Sequence, residues 1–196
     1  ASRHNVLTEM VRDMEGYNQA VRRAIQYANQ RNMKGVRGVL AQLMTVPQQY
    51  ETAIDMALGA AQQNIVTDTE ETAKELINYL RQNRMGRATF LPMSAIRPQS
   101  LNANARSVLK MPGCIGVASE LVQCAPEYRS IIENLLGRTI IADNLDHGIP
   151  IMRAGGHSFR LVTLEGDVMH SGGSMTGGST QSKMVNLLSR ERELKE

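Results

Sequence analysis

An α+β fold of two small mixed sheet-and-helix subdomains, with a helix entering and a helix leaving, is what the 196-residue sequence predicts. Three observations carry it. Short β-rich runs alternate with amphipathic helical stripes, that alternation occurs twice along the chain, and heptad-like spacing is confined to the two ends. Apolar residues make up 42% and charged residues 21%, ordinary globular usage that excludes wholesale disorder, a collagen-like fibre and a mucin-like stalk. No apolar run approaches the roughly 18 to 20 residues of a spanning helix.

At the N-terminal end Leu7, Met10, Met14, Tyr17, Val21, Ala24 and Ala28 step by three and four residues, with Arg12, Asp13, Glu15, Arg22 and Arg23 between them. This is the a/d grammar of a coiled coil, and it equally suits an amphipathic helix packed on a core. Val36 to Met44 reads as a strand, and Tyr50, Ala53, Ile54, Ala57, Leu58 and Ala61 as a helical stripe ended near Gly59. Asn64 to Thr67 is a short buried strand. Asp68 with Glu71 resembles a capping box before the stripe Ala73, Leu76, Ile77, Leu80, and Ala88 to Leu91 follows as a strand.

Residues 93–110 hold Pro, Ser, Asn, Gln and Arg without periodicity and read as a linker between subdomains at 33–92 and 111–180. Beyond it, Pro126 sits in a first helical turn ahead of Tyr128, Ile131, Ile132, Leu135 and Leu136. Arg138 to Ala142 and Phe159 to Thr163 read as strands, Gly148 and Pro150 make any helix between them short or kinked, and Asp167 to Ser171 is strand-like. The tail from 181 repeats the helical habit with Met184, Leu187, Leu188 and Leu194.

The two halves share more than grammar. Gly35, Gly38, Val39, Leu43, Tyr50, Ile54, Leu58 and Gly59 recur 78 residues on as Gly113, Gly116, Val117, Leu121, Tyr128, Ile132, Leu136 and Gly137, and after a slip of three Ile65, Val66 and Asp68 answer Ile140, Ile141 and Asp143. Chance matches and a shared strand-turn-helix grammar are the alternative to duplication or convergent topology, which Gly-x-x-Gly-Val with a downstream Tyr favours.

Chemistry-bearing patterns are sparse. Gly172 to Gly177 has the spacing of the first part of a phosphate-binding loop, but Gly178 stands where the essential Lys belongs. Glycines also mark close approach of another backbone, including a strand pairing across a subunit boundary. His4, His147, His157, His170, Cys114 and Cys124 show no metal-ligand spacing, so no metal site is expected. Asp143, Asp146, Glu165 and Asp167 lack a nucleophile or oxyanion loop beside them, so no catalytic residues are expected. The net charge of +3 permits nucleic-acid contact without requiring it, and two Phe with no Trp leave little for a base-stacking surface. Two cysteines and no signal pattern suit a reducing cytoplasm.

Taken together the residues resemble the hinge domain of bacterial SMC (structural maintenance of chromosomes) proteins, ATPases of the condensin class. The resemblance rests on Met14-Glu15-Gly16-Tyr17, Gly35-Val36-Arg37-Gly38-Val39, Tyr50-Glu51-Thr52-Ala53-Ile54, Ala57-Leu58-Gly59, Gln63-Asn64-Ile65-Val66, Gly86-Arg87-Ala88-Thr89-Phe90-Leu91-Pro92, Leu164-Glu165-Gly166-Asp167 and the glycine segment 172–179. It departs at Gly148-Ile149-Pro150, where similar proteins carry an uninterrupted helix. It implies hinge subdomains at 33–92 and 111–180, coiled-coil helices at 1–32 and 181–196, and a homodimer through Gly172, Gly173, Gly177 and Gly178. Weak, sequence-independent DNA contact is implied near the coil junction, for which Lys34, Arg37, Arg97, Arg106 and Lys110 are candidates by position. No cofactor is expected in this chain; ATP and Mg would act at heads elsewhere in a nucleoid-associated parent protein, where kleisin-type subunits bind. A duplicated α+β ligand-sensing or enzymatic domain is the alternative.

Overall fold

The repeated strand–helix–strand–helix–strand order is physical as well as sequential. A computed structural model describes residues 5–6, 14–179 and 187–195. In the first copy, β1 (Val36–Val39), α2 (Glu51–Leu58), β2 (Ile65–Thr67), α3 (Glu70–Gln82) and β3 (Phe90–Pro92) follow α1 (Gln19–Gln30). In the second, β4 (Cys114–Val117), α5 (Arg129–Leu136), β5 (Thr139–Ala142), α6 (Leu145–Ala154) and β6 (Arg160–Thr163) follow the one-turn helix α4 (Ala103–Arg106). Two short strands, β7 (Val168–Met169) and β8 (Met175–Thr176), and α7 (Leu187–Lys195) follow, alongside short 3-10 turns and the two-residue strands Met44–Thr45 and Gln123–Cys124.

The repeat extends to register. β1 pairs antiparallel with β2 through Val36↔Thr67, Gly38↔Val66 and Val39↔Ile65, and β4 pairs with β5 through Cys114↔Ala142, Gly116↔Ile141 and Val117↔Ile140, each with an irregularity before its glycine. Ile65 then faces Phe90 in a parallel β2–β3 pair, as Ile140 faces Leu161 in β5–β6. The resulting sheets run β1-β2-β3 and β8-β7-β6-β5-β4. Even the helix entries correspond. The Thr72 hydroxyl donates to Asp68 at 2.6 Å, and His147 Nδ1 lies 2.8 Å from Asp143. Gly35 and Gly113 stay bare because a Cβ there would collide with those side chains.

The chain divides into two units, one of residues 1–45, 60–96 and 184–196, the other of 46–59 and 97–183. α2 therefore belongs with the second copy's sheet although it precedes β2 in sequence. Ala53 and Ile54 are wholly buried, and the Arg160 guanidinium donates at 2.7 Å to the carbonyl of Ala57 at the negative end of the α2 dipole. The segment 93–110, read as a linker, is largely structured. Leu101, Ala105 and Val108 enter a core cluster with Val117, Ile140, Met152 and Phe159. Its helical pieces are too short for periodicity to register.

Four further expectations are corrected. The N-terminal heptad is not one helix over Leu7 to Ala28, because Met14 (φ 55°) and Gly16 (φ 88°) form a left-handed turn and α1 begins only at Gln19. Met14 and Tyr17 are buried from that turn, so apolar spacing alone counterfeited a longer helix. Leu7, Met10 and Met184 lie outside the described residues. The first strand stops at Val39, where a 3-10 turn, Leu40–Leu43, begins. Thr69, not Asp68, caps α3, accepting from Thr72 N at 3.3 Å. α6 runs ten residues through Gly148 and Pro150, since proline removes one donor while the helix ends remain bonded.

Candidate functional site

The glycine segment forms the turn and outer edge of the second unit's sheet. β8 pairs antiparallel with β7 through Met175↔Met169 and Thr176↔Val168, leaving its other side unpaired among the described residues. The turn is held by His170 N to Ser174 O at 2.8 Å, Gly173 N to His170 O at 3.1 Å, and His170 Nε2 to Thr176 Oγ1 at 3.1 Å. Asp167 accepts from Gly178 N at 3.3 Å and anchors the far end. Every residue from 171 to 179 is exposed, and Met175 presents 51% of its surface.

Its glycines are not equivalent. Gly172, Gly173 and Gly178 have φ of 93°, 113° and 128°, with nothing near where a Cβ would sit, whereas a Cβ at Gly177 would strike the Asp167 carboxylate. Three are bare for backbone conformation and leave open space above the edge; the fourth is bare for its neighbour. An exposed, unbulged, glycine-flanked edge strand is the kind of edge that isolated proteins blunt.

The basic candidates divide between the units: Lys34 and Arg37 flank the start of β1 in the first, and Arg97, Arg106 and Lys110 lie in the 97–110 segment of the second. All five are exposed. Arg37 acts on the Asp68 carboxyl, which the Thr72 hydrogen bond chiefly holds below the usual carboxylate range, so part of its charge is already answered. Asp143 is bound to His147 as a helix entry, Asp167 to Thr163 and Gly178, and Glu165 faces solvent. No group of three or more His, Cys, Asp or Glu among the described residues could hold a metal ion.

Residues 33–152 match the family model of the SMC proteins' flexible hinge domain. The chain belongs to the SMC hinge family. The chromosome partition protein Smc of Bacillus subtilis is 45% identical over the whole chain, and that of Desulfitobacterium hafniense 43%, the chain spanning 16% of the length of each. An asymmetric dimer of the Geobacillus stearothermophilus SMC hinge domain superposes with a TM-score of 0.89 at 41% identity, over 99% of this chain and 77% of that one. The Pyrococcus furiosus SMC hinge superposes at 0.69 with 27% identity, over 94% and 92%.

One feature of this hinge escaped the sequence reading: a buried charged contact where α7 meets its unit. Arg190 is 3% exposed, with its guanidinium 5.7 Å above the Tyr17 ring, and Glu191 is 6% exposed. Lys195 Nζ donates to Met44 O at 2.9 Å and Thr45 Oγ1 at 3.0 Å. In sequence, no spacing signal separates Arg190 and Glu191 from Arg192 and Glu193. Burial pushes the Glu191 carboxyl up and the Lys195 ammonium down.

Burial also pushes the Tyr17 hydroxyl up to about 12, Glu191 adding to the rise and Arg190 opposing it. The folded hinge then holds a proton that the unfolded chain releases above pH 10, so this contribution is intact below pH 10 and lost as pH rises through 12. By pH 12 the loss amounts to about 2 kcal/mol. Lys195 acts in the opposite sense, so the comparison is between the native chain and Tyr17→Phe. Urea unfolding from pH 8 to 12 is expected to show the native chain losing stability relative to Tyr17→Phe only above pH 10. Parallel curves would remove Tyr17 from the account.

Proposed function

We propose that this hinge joins two protomers of a chromosome partition SMC protein by edge-to-edge pairing of their sheets. The carrying observation is the exposed, glycine-flanked edge β8. Each protomer offers that edge to the other, so a two-fold axis yields two equal contacts and no open-ended growth. The Geobacillus stearothermophilus hinge, similar over nearly the whole chain, forms a dimer, which supports the joining of two protomers though that dimer is asymmetric. Light-scattering mass on dilution is the test. Twice the chain mass of 21.6 kDa should persist to low micromolar concentration. A single-chain mass throughout refutes the proposal.

The same domain is proposed to contact DNA weakly and without sequence preference through Lys34, Arg37, Arg97, Arg106 and Lys110, whose exposure fits phosphate contact. Dimerisation doubles the number of basic groups. Charge reversal at Lys34, Arg97, Arg106 and Lys110 together is expected to weaken binding to all sequences alike and to flatten its salt dependence by about one unit per lost contact. Unchanged affinity and slope would clear these residues. ATP, Mg and kleisin-type subunits are assigned to the parent protein outside this chain, and the nucleoid is its proposed location.

A further inference from the structure

The internal repeat is broken at one seat. In the second unit α5 lies against the 3-10 turn Ala118–Leu121, and its first residue, Arg129, donates to the carbonyls of Val122, at 3.1 Å, and Ser119. Moved back by 78 residues, that turn is Leu40–Leu43, Val122 is Met44, and Arg129 is Glu51, the first residue of α2. Yet α2 packs on β6 and α5 in the second unit, and Glu51 carries a carboxylate, which has no hydrogen to give a carbonyl. The seat on Leu40–Leu43 is taken instead by α7. Its Lys195 Nζ donates at 2.9 Å to Met44 O, the counterpart of Val122 O. The last described helix thus stands in the first unit where α5 stands in the second.

The two seats are filled differently. α5 buries Ile131, Ile132 and Leu136 and keeps its charges at the rim, where Arg129 Nε meets Glu133 at 3.4 Å. α7 buries Leu187 and Leu188 together with Arg190 and Glu191. Although the Arg190 guanidinium lies over the Tyr17 ring, its three nitrogens make no hydrogen bond of ordinary geometry among the described residues, and neither does Glu191 Oε1. Charges buried without such bonds cost far more than apolar side chains of the same volume, so this contact is weak for the surface it covers. The floor beneath it is firm. Leu40 and Ala41 are wholly buried, Leu40 N donates to Asn64 O at 2.8 Å, and Val39 pairs with Ile65, so the sheet holds the seat without help from α7.

We propose that α7 is a detachable strap of the first unit, seated on Leu40–Leu43 in place of α2 and able to lift off as one piece while the β1-β2-β3 sheet stays folded. Seating it fixes the direction in which a longer parent chain leaves the hinge, and lifting it sets that direction free. Arg190 and Glu191 keep the seat loose, and Lys195 holds it by the one carbonyl that α2 leaves unclaimed. Nothing in this depends on how two hinges meet.

The test is hydrogen exchange of the folded chain at urea concentrations below its unfolding transition, read amide by amide by nuclear magnetic resonance. A strap gives the amides of residues 191–195 one common opening equilibrium, about a hundredfold more favourable than that of β2 and nearly independent of urea, because little surface is exposed. Fraying would instead give openings graded inward from Lys195, and a fixed wall would give α7 and β2 the same opening and the same urea dependence. Either result overturns the proposal. Arg190→Leu with Glu191→Leu should suppress the opening of α7 about tenfold and leave β2 unchanged, whereas Lys195→Met should raise it about tenfold. A double variant that opens as readily as the native chain, or more so, means that the buried charges hold the helix down, and this too overturns the proposal. An unchanged opening in Lys195→Met overturns the assignment of the seat.

Discussion

Gly173→Leu combined with Gly178→Leu is expected to turn the proposed hinge dimer into folded monomers, raising its dissociation constant about a thousandfold, or about 4 kcal/mol. A Cβ at either position meets nothing within its own chain, so no internal packing is disturbed. The internal cost is backbone strain, about 1 to 3 kcal/mol at each site for a side chain at φ of 113° or 128°, borne by an exposed edge where local rearrangement relieves it. Across the proposed interface the same side chains would occupy the space through which the partner's backbone approaches, and two-fold symmetry applies that cost twice. Light scattering of the variant at tens of micromolar should give one chain mass with a native helical circular dichroism spectrum. A dimer of native affinity would place the interface elsewhere. Gly177 is the wrong choice for this purpose, because a side chain there strikes Asp167 and perturbs the protomer first.

The strands and helices of both copies were legible because their apolar residues keep the 2 and 3.6 periods and because glycines punctuate them; residues aligned by the repeat fall at matching registers in the structure. The glycine segment was legible as a place of close backbone approach, but not as the edge itself: the edge was expected at Asp167 to Ser171, whereas Val168–Met169 is paired on both sides and Met175–Thr176 forms the edge. Illegible features depend on where pieces of chain meet. Ile77 belongs to the apolar stripe of α3 and reads as core, yet it is exposed, no strand among the described residues covering the outer side of β3. Arg190 and Glu191 are buried although nothing in the sequence sets them apart from the neighbouring charges. Met14 and Tyr17 keep the heptad phase across a turn, since spacing reports which residues seek burial and not whether one helix carries them. α2 reads as part of the first copy and packs with the second, a choice made by the Arg160 bond to Ala57 and by burial that no local pattern records.

Gly59 and Gly137 occupy the same place in the repeat, and replacing each with alanine should give very different results. Gly59 ends α2 with φ 54° and ψ −132°, and a Cβ there meets nothing. Its glycine serves conformation, and Gly59→Ala should cost about 1 to 2 kcal/mol. Gly137 ends α5 with φ −70° and ψ −18°, a conformation open to any residue, but a Cβ would land on the carbonyl oxygens of Gln99 and Glu133. Here glycine lets one stretch of backbone lie directly on another. That contact is stitched by Asn134 Nδ2 to Arg97 O at 2.8 Å and Arg138 Nε to Ser100 O at 3.2 Å, and it leads into Leu101, a member of the second unit's core. Both obstacles are backbone, which yields less readily than the end of a side chain. Gly137→Ala must therefore displace residues 97–101, break these bonds and withdraw Leu101, so a loss above about 3 kcal/mol is expected, at the upper end of overpacking costs. Urea unfolding of the two variants beside the native chain measures the difference. If Gly137→Ala proves the milder of the two, the 97–101 segment does not rest on the end of α5, and its place in the second unit is lost with it.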